Sequence, residues 1–210
     1  MKVTIIGAGN MGRGIGVRLV AGDDDVELID HDPDDAHLLA DELNAQGKGA
    51  ASVSEDGGIS GDIVVLAVPY DALDEAIDTY REQLAGKVVV DITNPVDWST
   101  GELATPAETS AAEEIARRLP TTKVVKAFNT TFAGTLVAGR VDGEPLDVLM
   151  AGDDEQAKEQ VASLVKDGGL RPIDVGPLHR AIQLEHLGLL HTALQERLGA
   201  NFGSAFKLVW

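Results

Sequence analysis

Six residues near the N-terminus, Gly7-Ala8-Gly9-Asn10-Met11-Gly12, carry the G-x-G-x-x-G spacing of a turn that grips a pyrophosphate. The chemistry needs backbone donors more than side chains. Gly7 allows a tight turn, Gly9 leaves the backbone bare where an anion approaches, and Gly12 permits close helix–strand contact. Free N–H groups at a helix start then face the anion, with the helix dipole behind them. In a chain with 23 glycines the spacing alone is a weak signal, and its setting strengthens it. An apolar, β-branched run (2–7) precedes it. A segment with helical spacing at Met11, Ile15 and Leu19 (10–22) follows. Asp30 closes a second apolar run, 23 positions after Gly7. A carboxylate there accepts hydrogen bonds from an adenine-ribose 2′-hydroxyl and repels a 2′-phosphate. NAD is therefore favoured over NADP. No Arg lies in 31–35 to receive a phosphate, so protonated His31 is the group that keeps NADP open.

Other strand ends carry a second pattern. Val68-Pro69-Tyr70, Thr93-Asn94-Pro95 and the segment 128–134, with Asn129, Thr130 and Phe132, pair apolar surface with amides and hydroxyls and hold no charge. Ligands of open α/β sheets lie outside the carboxyl ends of the strands. A rim of this kind suits a flat, neutral ring such as nicotinamide or a flavin-like partner. Taken singly, each segment reads as an ordinary turn proline or a loop-capping asparagine. Three at one rim read as a redox pocket. Tyr70 is the nearest proton donor if the reaction needs one. His179, His186 and His191 are a poor metal set, and no H-E-x-x-H spacing occurs, so no metal is expected and these are read as surface or packing residues. No G-x-S-x-G elbow supports acyl transfer. With no cysteine, disulfides, thiolate ligands and a cysteine nucleophile are excluded.

The elements that must position these residues alternate. Strands are predicted over 2–7, 26–30, 50–53, 62–68, 87–93, 123–128, 146–152 and 170–176. Helices are predicted over 10–22, 33–47, 70–86, 107–119, 153–168 and 178–199. Asp32 fits an N-cap, Pro33 the first helical position, and Asp34 and Asp35 the first turn, where negative charge opposes the dipole favourably. Gly47 can close that helix. Solid apolar strands between helices imply a parallel sheet covered on both faces. The predicted fold is α/β, a Rossmann-type doubly wound, mostly parallel sheet. Residues 1–177 form the dinucleotide-binding domain, and 178–210 a small helical extension of the same compact unit. Acids exceed bases by 35 − 17 = 18. That excess argues against nucleic acid or an anionic membrane as partner, and fits a halophilic or simply acidic bacterial source. No charged leader and no apolar segment of membrane-spanning length occurs, so a cytoplasmic protein is expected.

The motifs "GAGNMG", "AVPY", "VVVDITNP", "KAFNTTFAGTL" and "GLRPIDVGPL" together resemble the coenzyme F-420-dependent NADP oxidoreductase family across nearly the whole chain. The cytosolic domain of the six-transmembrane ferric reductases is similar too. The resemblance implies a Rossmann domain whose C-terminal extension helps build the substrate cleft and a dimer contact, hence a homodimer. It implies that Gly7, Gly9, Asn10, Met11 and Gly12 hold the pyrophosphate. Val68, Pro69, Tyr70, Thr93, Asn94 and Pro95 would border the nicotinamide, with Asn129, Thr130 and Phe132 on the second-substrate side. The chain departs from the pattern at Asp30-His31-Asp32, where NADP-using members tend to carry a small residue and then a basic one. The anionic tail of a deazaflavin would also need a local basic patch, from Arg140, Arg171 or Arg180, on so acidic a protein.

Three functions fit these residues. The first moves a hydride between nicotinamide and a second redox carrier, coenzyme F-420 or flavin-like, a reaction dominated by proximity and ring alignment. The second reduces a carbonyl or imine, with Tyr70 as proton donor. The third senses a dinucleotide without catalysis and presents its last helix to a partner.

Overall fold

The computed structural model describes residues 1–210. Its first half runs β1 (Lys2–Ile6), α1 (Asn10–Ala21), β2 (Asp25–Ile29), α2 (Pro33–Gln46), β3 (Ala51–Val53), β4 (Ile63–Leu66), α3 (Leu73–Leu84) and β5 (Val88–Asp91). A small hairpin of β6 (Val96–Asp97) and β7 (Glu102–Leu103) follows, then α4 (Ala111–Arg118), β8 (Lys123–Lys126) and α5 (Ala133–Ala138). A second hairpin, β9 (Arg140–Val141) and β10 (Glu144–Pro145), leads to β11 (Asp147–Gly152), α6 (Glu155–Asp167), β12 (Arg171–Asp174) and α7 (Ala181–Leu198).

Eight strands make one sheet in the order β12-β11-β8-β5-β4-β1-β2-β3. The six strands from β3 to β8 are parallel, with the strand order reversing between β1 and β4. The fold is therefore the expected doubly wound one. β11 runs antiparallel to β8, pairing Ala151 with Lys126, so the alternation read for the last two strands continues with reversed direction. The reason lies in the connection, since α5 and a hairpin return the chain on the same side without a full crossover. Every residue of β4, β5 and β11 is buried, as strands covered on both faces must be. One apolar cluster, with α1, α2 and α6, fills one face of the sheet, and a second, with α3 and α4, fills the other. Each Val or Leu side chain so buried contributes roughly 1.5–3 kcal/mol.

Helix boundaries differ from the sequence reading where caps intervene. Asp32 caps α2 as expected, its carboxylate accepting from the Asp34 N–H at 3.0 Å. Gly47 follows α2 with φ −105°, not left-handed; glycine is needed because a Cβ would lie 2.4 Å from that of Val20. The helix predicted from 107 starts at Ala111, where the Ser110 hydroxyl accepts from the Glu113 N–H at 3.2 Å. The helix predicted from 70 opens with a 3-10 turn, Tyr70–Ala72, and the one predicted from 178 with the 3-10 turn Leu178–Arg180.

After α7 the chain returns to the sheet edge. Asp147 gathers the returning tail: it accepts from Leu208 N–H (2.8 Å), Lys207 Nζ (3.0 Å) and Arg171 Nε (2.7 Å). The Arg171 guanidinium stands 4.6 Å from the Trp210 ring centre. Burial works against the Asp147 charge, but Arg171, the Leu208 N–H and Lys207 outweigh it and hold this carboxyl below its ordinary range. A depressed folded pKa means stabilisation that is present above the unfolded value, about 3.9, and lost as pH falls through the lower folded one. In a Trp98→Phe background, Trp210 emission is expected to change on acidification below about pH 4. Asp147→Asn should already show the released signal at neutral pH. Identical emission in the two proteins at neutral pH would contradict this anchoring.

Candidate active site

A cleft of about 590 Å³ opens at the carboxyl ends of the central strands, beside the point where strand order reverses. The glycine turn forms one side of it. Gly7 has φ +109°, and a Cβ there would lie 2.4 Å from the Ala67 carbonyl oxygen. At Gly12 a Cβ would lie 2.0 Å from the Gly7 carbonyl oxygen. The fold itself demands these two glycines. Gly9 is different: a Cβ there would meet nothing within 4 Å, and the residue lines the cleft with Asn10 and Met11. Gly9 is also the N-cap of α1, with no side-chain cap and no acid in the first turn. A bare backbone and an uncapped positive helix end fit an approaching pyrophosphate.

Asp30 stands next to this turn. Its carboxylate accepts from the Ala8 N–H at 2.6 Å and the Asp32 N–H at 3.0 Å. His31 is almost fully exposed, with Nδ1 2.6 Å from the Asp30 carboxylate. Arg13, absent from the sequence reading, lies between the turn and α2, where it is held doubly by Glu42.

The rim segments come together in part. Val68, Pro69, Tyr70, Thr93, Asn94, Asn129 and Phe132 all line the cleft. Pro95 and Thr130 do not. The Pro95 carbonyl accepts from Ala104 N–H at the base of the β6–β7 hairpin. Thr130 is buried behind the wall, its carbonyl 3.2 Å from His191 Nδ1, and Thr131 takes the place beside the cleft.

The amides and hydroxyls expected to face a ligand are largely turned on each other. The Thr93 N–H (2.9 Å) and hydroxyl (2.8 Å) both donate to Asp91 Oδ1, and the Thr93 carbonyl accepts from Lys126 Nζ at 2.6 Å. Asn94 Nδ2 donates to the Asn129 carbonyl (2.8 Å), while Asn129 Nδ2 donates to Asn94 Oδ1 (2.9 Å) and the Leu184 carbonyl (2.8 Å). Gly188 of α7 makes room for this pair, since a Cβ there would lie 2.5 Å from Asn94 Oδ1. Asn129 Oδ1 alone among these amide atoms is buried without a partner.

Behind the Thr93 wall lies a feature the sequence reading missed. Lys126, at the end of β8, is fully buried with its Nζ 2.8 Å from Asp91 Oδ2 and 2.8 Å from Glu185 Oε1. Burial alone would depress the Lys126 ammonium; the two carboxylates outweigh it and hold the ammonium above its ordinary value. A sequence signal existed, since Asp91 and Lys126 each put a charge at the end of a strand too apolar to face water.

Tyr70 also differs from expectation. Its hydroxyl lies 3.4 Å from Glu114 Oε2, and burial together with that carboxylate pushes it up to about 12. At the mouth, the β6–β7 hairpin carries the highly exposed Trp98, and Phe202 of the tail stands edge-on to Phe132 with centroids 5.2 Å apart. His191 is the buried member of the three C-terminal histidines, wedged 4.3 Å from Phe132 and 4.5 Å from Phe206, with Nε2 2.9 Å from Ser204 Oγ. Burial pushes its imidazole down, toward the neutral form. His186 is exposed and His179 sits in the 3-10 turn, so the three share no site. None of Arg140, Arg171 and Arg180 lines the cleft.

Residues 2–95 match the sequence profile of a family described as NADP oxidoreductase, coenzyme F420-dependent. The chain is also 34% identical over 202 residues to the F420-dependent NADP reductase of Methanothermobacter thermautotrophicus, covering 89% of this chain and 86% of that one. The chain belongs to the coenzyme F420-dependent NADP oxidoreductase family. It is thus a nicotinamide-dependent oxidoreductase. Metalloreductase STEAP3 of Rattus norvegicus is 31% identical over 188 residues, 90% of this chain; the chain spans only 36% of that relative's length. Among solved structures, one from Arthrobacter sp. FB24, described provisionally as an F420-dependent NADP reductase, superposes with a TM-score of 0.85 at 30% identity, covering 100% of both chains. No helix here is long and apolar enough to cross a membrane.

Proposed function

We propose that this family member transfers a hydride between a nicotinamide dinucleotide and a second planar redox carrier, a deazaflavin such as coenzyme F-420 or a flavin. The observation that carries the reading is the cleft wall. Most of its amides and hydroxyls are consumed by internal hydrogen bonds, with Asn129 Oδ1 left without a partner, and Asp71 is the one ionisable carboxylate lining it. Such a wall orients rings and excludes water, and moves no proton. When bound, the nicotinamide supplies or accepts the hydride, and the protein contributes proximity and alignment. Trp98, Phe132 and Phe202 give the mouth the flat aromatic faces that a second ring would stack on. The test follows nicotinamide absorbance with deazaflavin and flavin acceptors in turn. Turnover with none of them would defeat the reading.

Carbonyl or imine reduction, the second reading, would draw its proton from Tyr70. A phenol pushed up to about 12 beside Glu114 is a reluctant donor at neutral pH. Tyr70→Phe is therefore expected to change turnover less than about tenfold, whereas loss of a general acid removes roughly 10²-fold or more. A fall of the larger size would favour the second reading.

For the cofactor we propose NAD over NADP. Asp30 is pinned by the Ala8 N–H where a ribose 2′-hydroxyl would be met, and the nearby Arg13 is already committed to Glu42. The relatives named NADP reductases set the opposite expectation, so the outcome is decisive. Wild type should bind NADH at least about tenfold more tightly than NADPH, and Asp30→Ser should narrow that gap toward unity, the loss of one charge repulsion of about 1.4 kcal/mol. A wild type preferring NADPH refutes the assignment.

The expected homodimer finds support in α7. Its inward face carries Glu185, Gly188, His191 and Gln195, while Leu190 and Leu198 stand outward and exposed.

A further inference from the structure

The Asp91–Lys126–Glu185 cluster holds two carboxylates against one ammonium. All three side chains are fully buried. No other cationic side chain pairs with either carboxylate, so the cluster carries one net negative charge when all three are ionised. Burial pushes Glu185 up from the ordinary carboxylate range, with Lys126 working against it. Every hydrogen bond Glu185 makes is nonetheless one it accepts, from Lys126 Nζ (2.8 Å) and from the Ala111 N–H (3.0 and 3.3 Å to its two oxygens). That pattern serves the ionised form. Asp91 Oδ1 likewise accepts from both Thr93 donors, and Oδ2 from Lys126.

A clamp between two strand ends and α7 would need only a neutral pair. An unbalanced charge in a buried cluster is expensive and calls for a compensating cation. The Thr93 carbonyl, held by Lys126 at 2.6 Å, belongs to the residue that separates this charge from the cleft on that side. The nicotinamide ring is a cation in its oxidised form and neutral in its reduced form. We propose that the buried Asp91–Lys126–Glu185 cluster biases the cleft toward the oxidised, cationic form of the dinucleotide, so that the reduced form becomes the better hydride donor on this protein. The inference rests on the reading above that the nicotinamide lies against the Thr93 wall. A buried charge is little screened by salt. Through an effective dielectric of about 20, one unit charge acting across about 10 Å shifts a binding ratio on the order of tenfold.

The experiment measures dissociation constants of NAD⁺ and NADH by calorimetry for wild type and Glu185→Gln at matched ionic strength, with the NADP pair run alongside. The amide introduced by this substitution keeps an acceptor for Lys126 and Ala111 while removing the net charge. The oxidised form is expected to bind about tenfold more weakly to the variant, with the reduced form changed less than about threefold. An unchanged ratio overturns the proposal, whether both forms weaken together, as loss of a clamp would do, or neither moves. If Glu185→Gln fails to fold by circular dichroism, Asp91→Asn removes the same charge from the β5 side and is read by the same ratio. Wild type binding neither pair of dinucleotides would instead defeat the proposed function itself, a result separate from an unchanged ratio.

Discussion

Lys126→Met is expected to destabilise the protein by about 3–5 kcal/mol, the usual penalty when one partner of a buried ion pair is removed. The side chain has no exposure, and its ammonium holds three oxygens: Asp91 Oδ2, Glu185 Oε1 and the Thr93 carbonyl. Methionine fills the volume and removes the charge. Two carboxylates then remain in a dry interior with no cation between them, and the Thr93 carbonyl loses its donor. A marginally stable domain has only about 5–15 kcal/mol in total, so the variant should unfold at a clearly lower urea concentration, with its slope unchanged. A shift worth less than about 1 kcal/mol would show that the cluster is wetter or less coupled than its geometry implies. The comparison with Glu185→Gln sharpens the result. The glutamine variant keeps hydrogen bonding and lowers net charge, so it should be far milder.

Gly9→Val is expected to destabilise the fold by only about 1 kcal/mol, the cost of a poor N-cap residue at the start of α1, while weakening dinucleotide binding on the order of 100-fold, about 2.7 kcal/mol. The backbone at Gly9 is extended, with φ −68° and ψ −173°, a conformation valine adopts readily. A Cβ placed there meets no protein atom within 4 Å, so packing raises no objection. The space it enters is the one a pyrophosphate must occupy to reach the N–H groups of α1. Gly12→Ala is the contrasting control. Its Cβ would fall 2.0 Å from the Gly7 carbonyl oxygen, so it should damage the fold together with binding. Thermal melts and dinucleotide titrations on the two variants separate a ligand-imposed glycine from a fold-imposed one. Equal affinity of Gly9→Val and wild type would remove the glycine turn from the binding site.

Much of the architecture was legible because it is written in local pattern. Strand β4 is an unbroken apolar run and β5 is apolar up to its terminal Asp91, and α2 announces itself through Asp32, Pro33 and two first-turn acids. The glycine spacing and the acid at the end of β2 point to a dinucleotide for the same reason: the turn that needs them is a few residues long. What misled was orientation. Thr93, Asn94 and Asn129 were read as polar groups facing a ring, yet nearly every donor and acceptor they own is satisfied inside the wall. Pro95 and Thr130 were assigned to the rim and do not line the cleft. Tyr70 was read as the nearest proton donor, and its hydroxyl is engaged with Glu114. Helix α5 escaped notice because six residues offer too little periodicity to detect.

From the sequence alone came the alternation of elements, the doubly wound class and the glycine turn, because each depends on side-chain periodicity or backbone freedom within one segment. Only the tertiary structure decided the direction of β11, the tail fastened by Asp147, and the charge cluster behind the cleft. Lys126 meets Asp91 across 35 positions and Glu185 across 59. A charge placed in an apolar strand signals that a partner must exist, since the interior will not hold it unpaired. It carries no signal of which partner, because that choice is made by helix α7 packing across the sheet ends and not by anything near Lys126 in the chain.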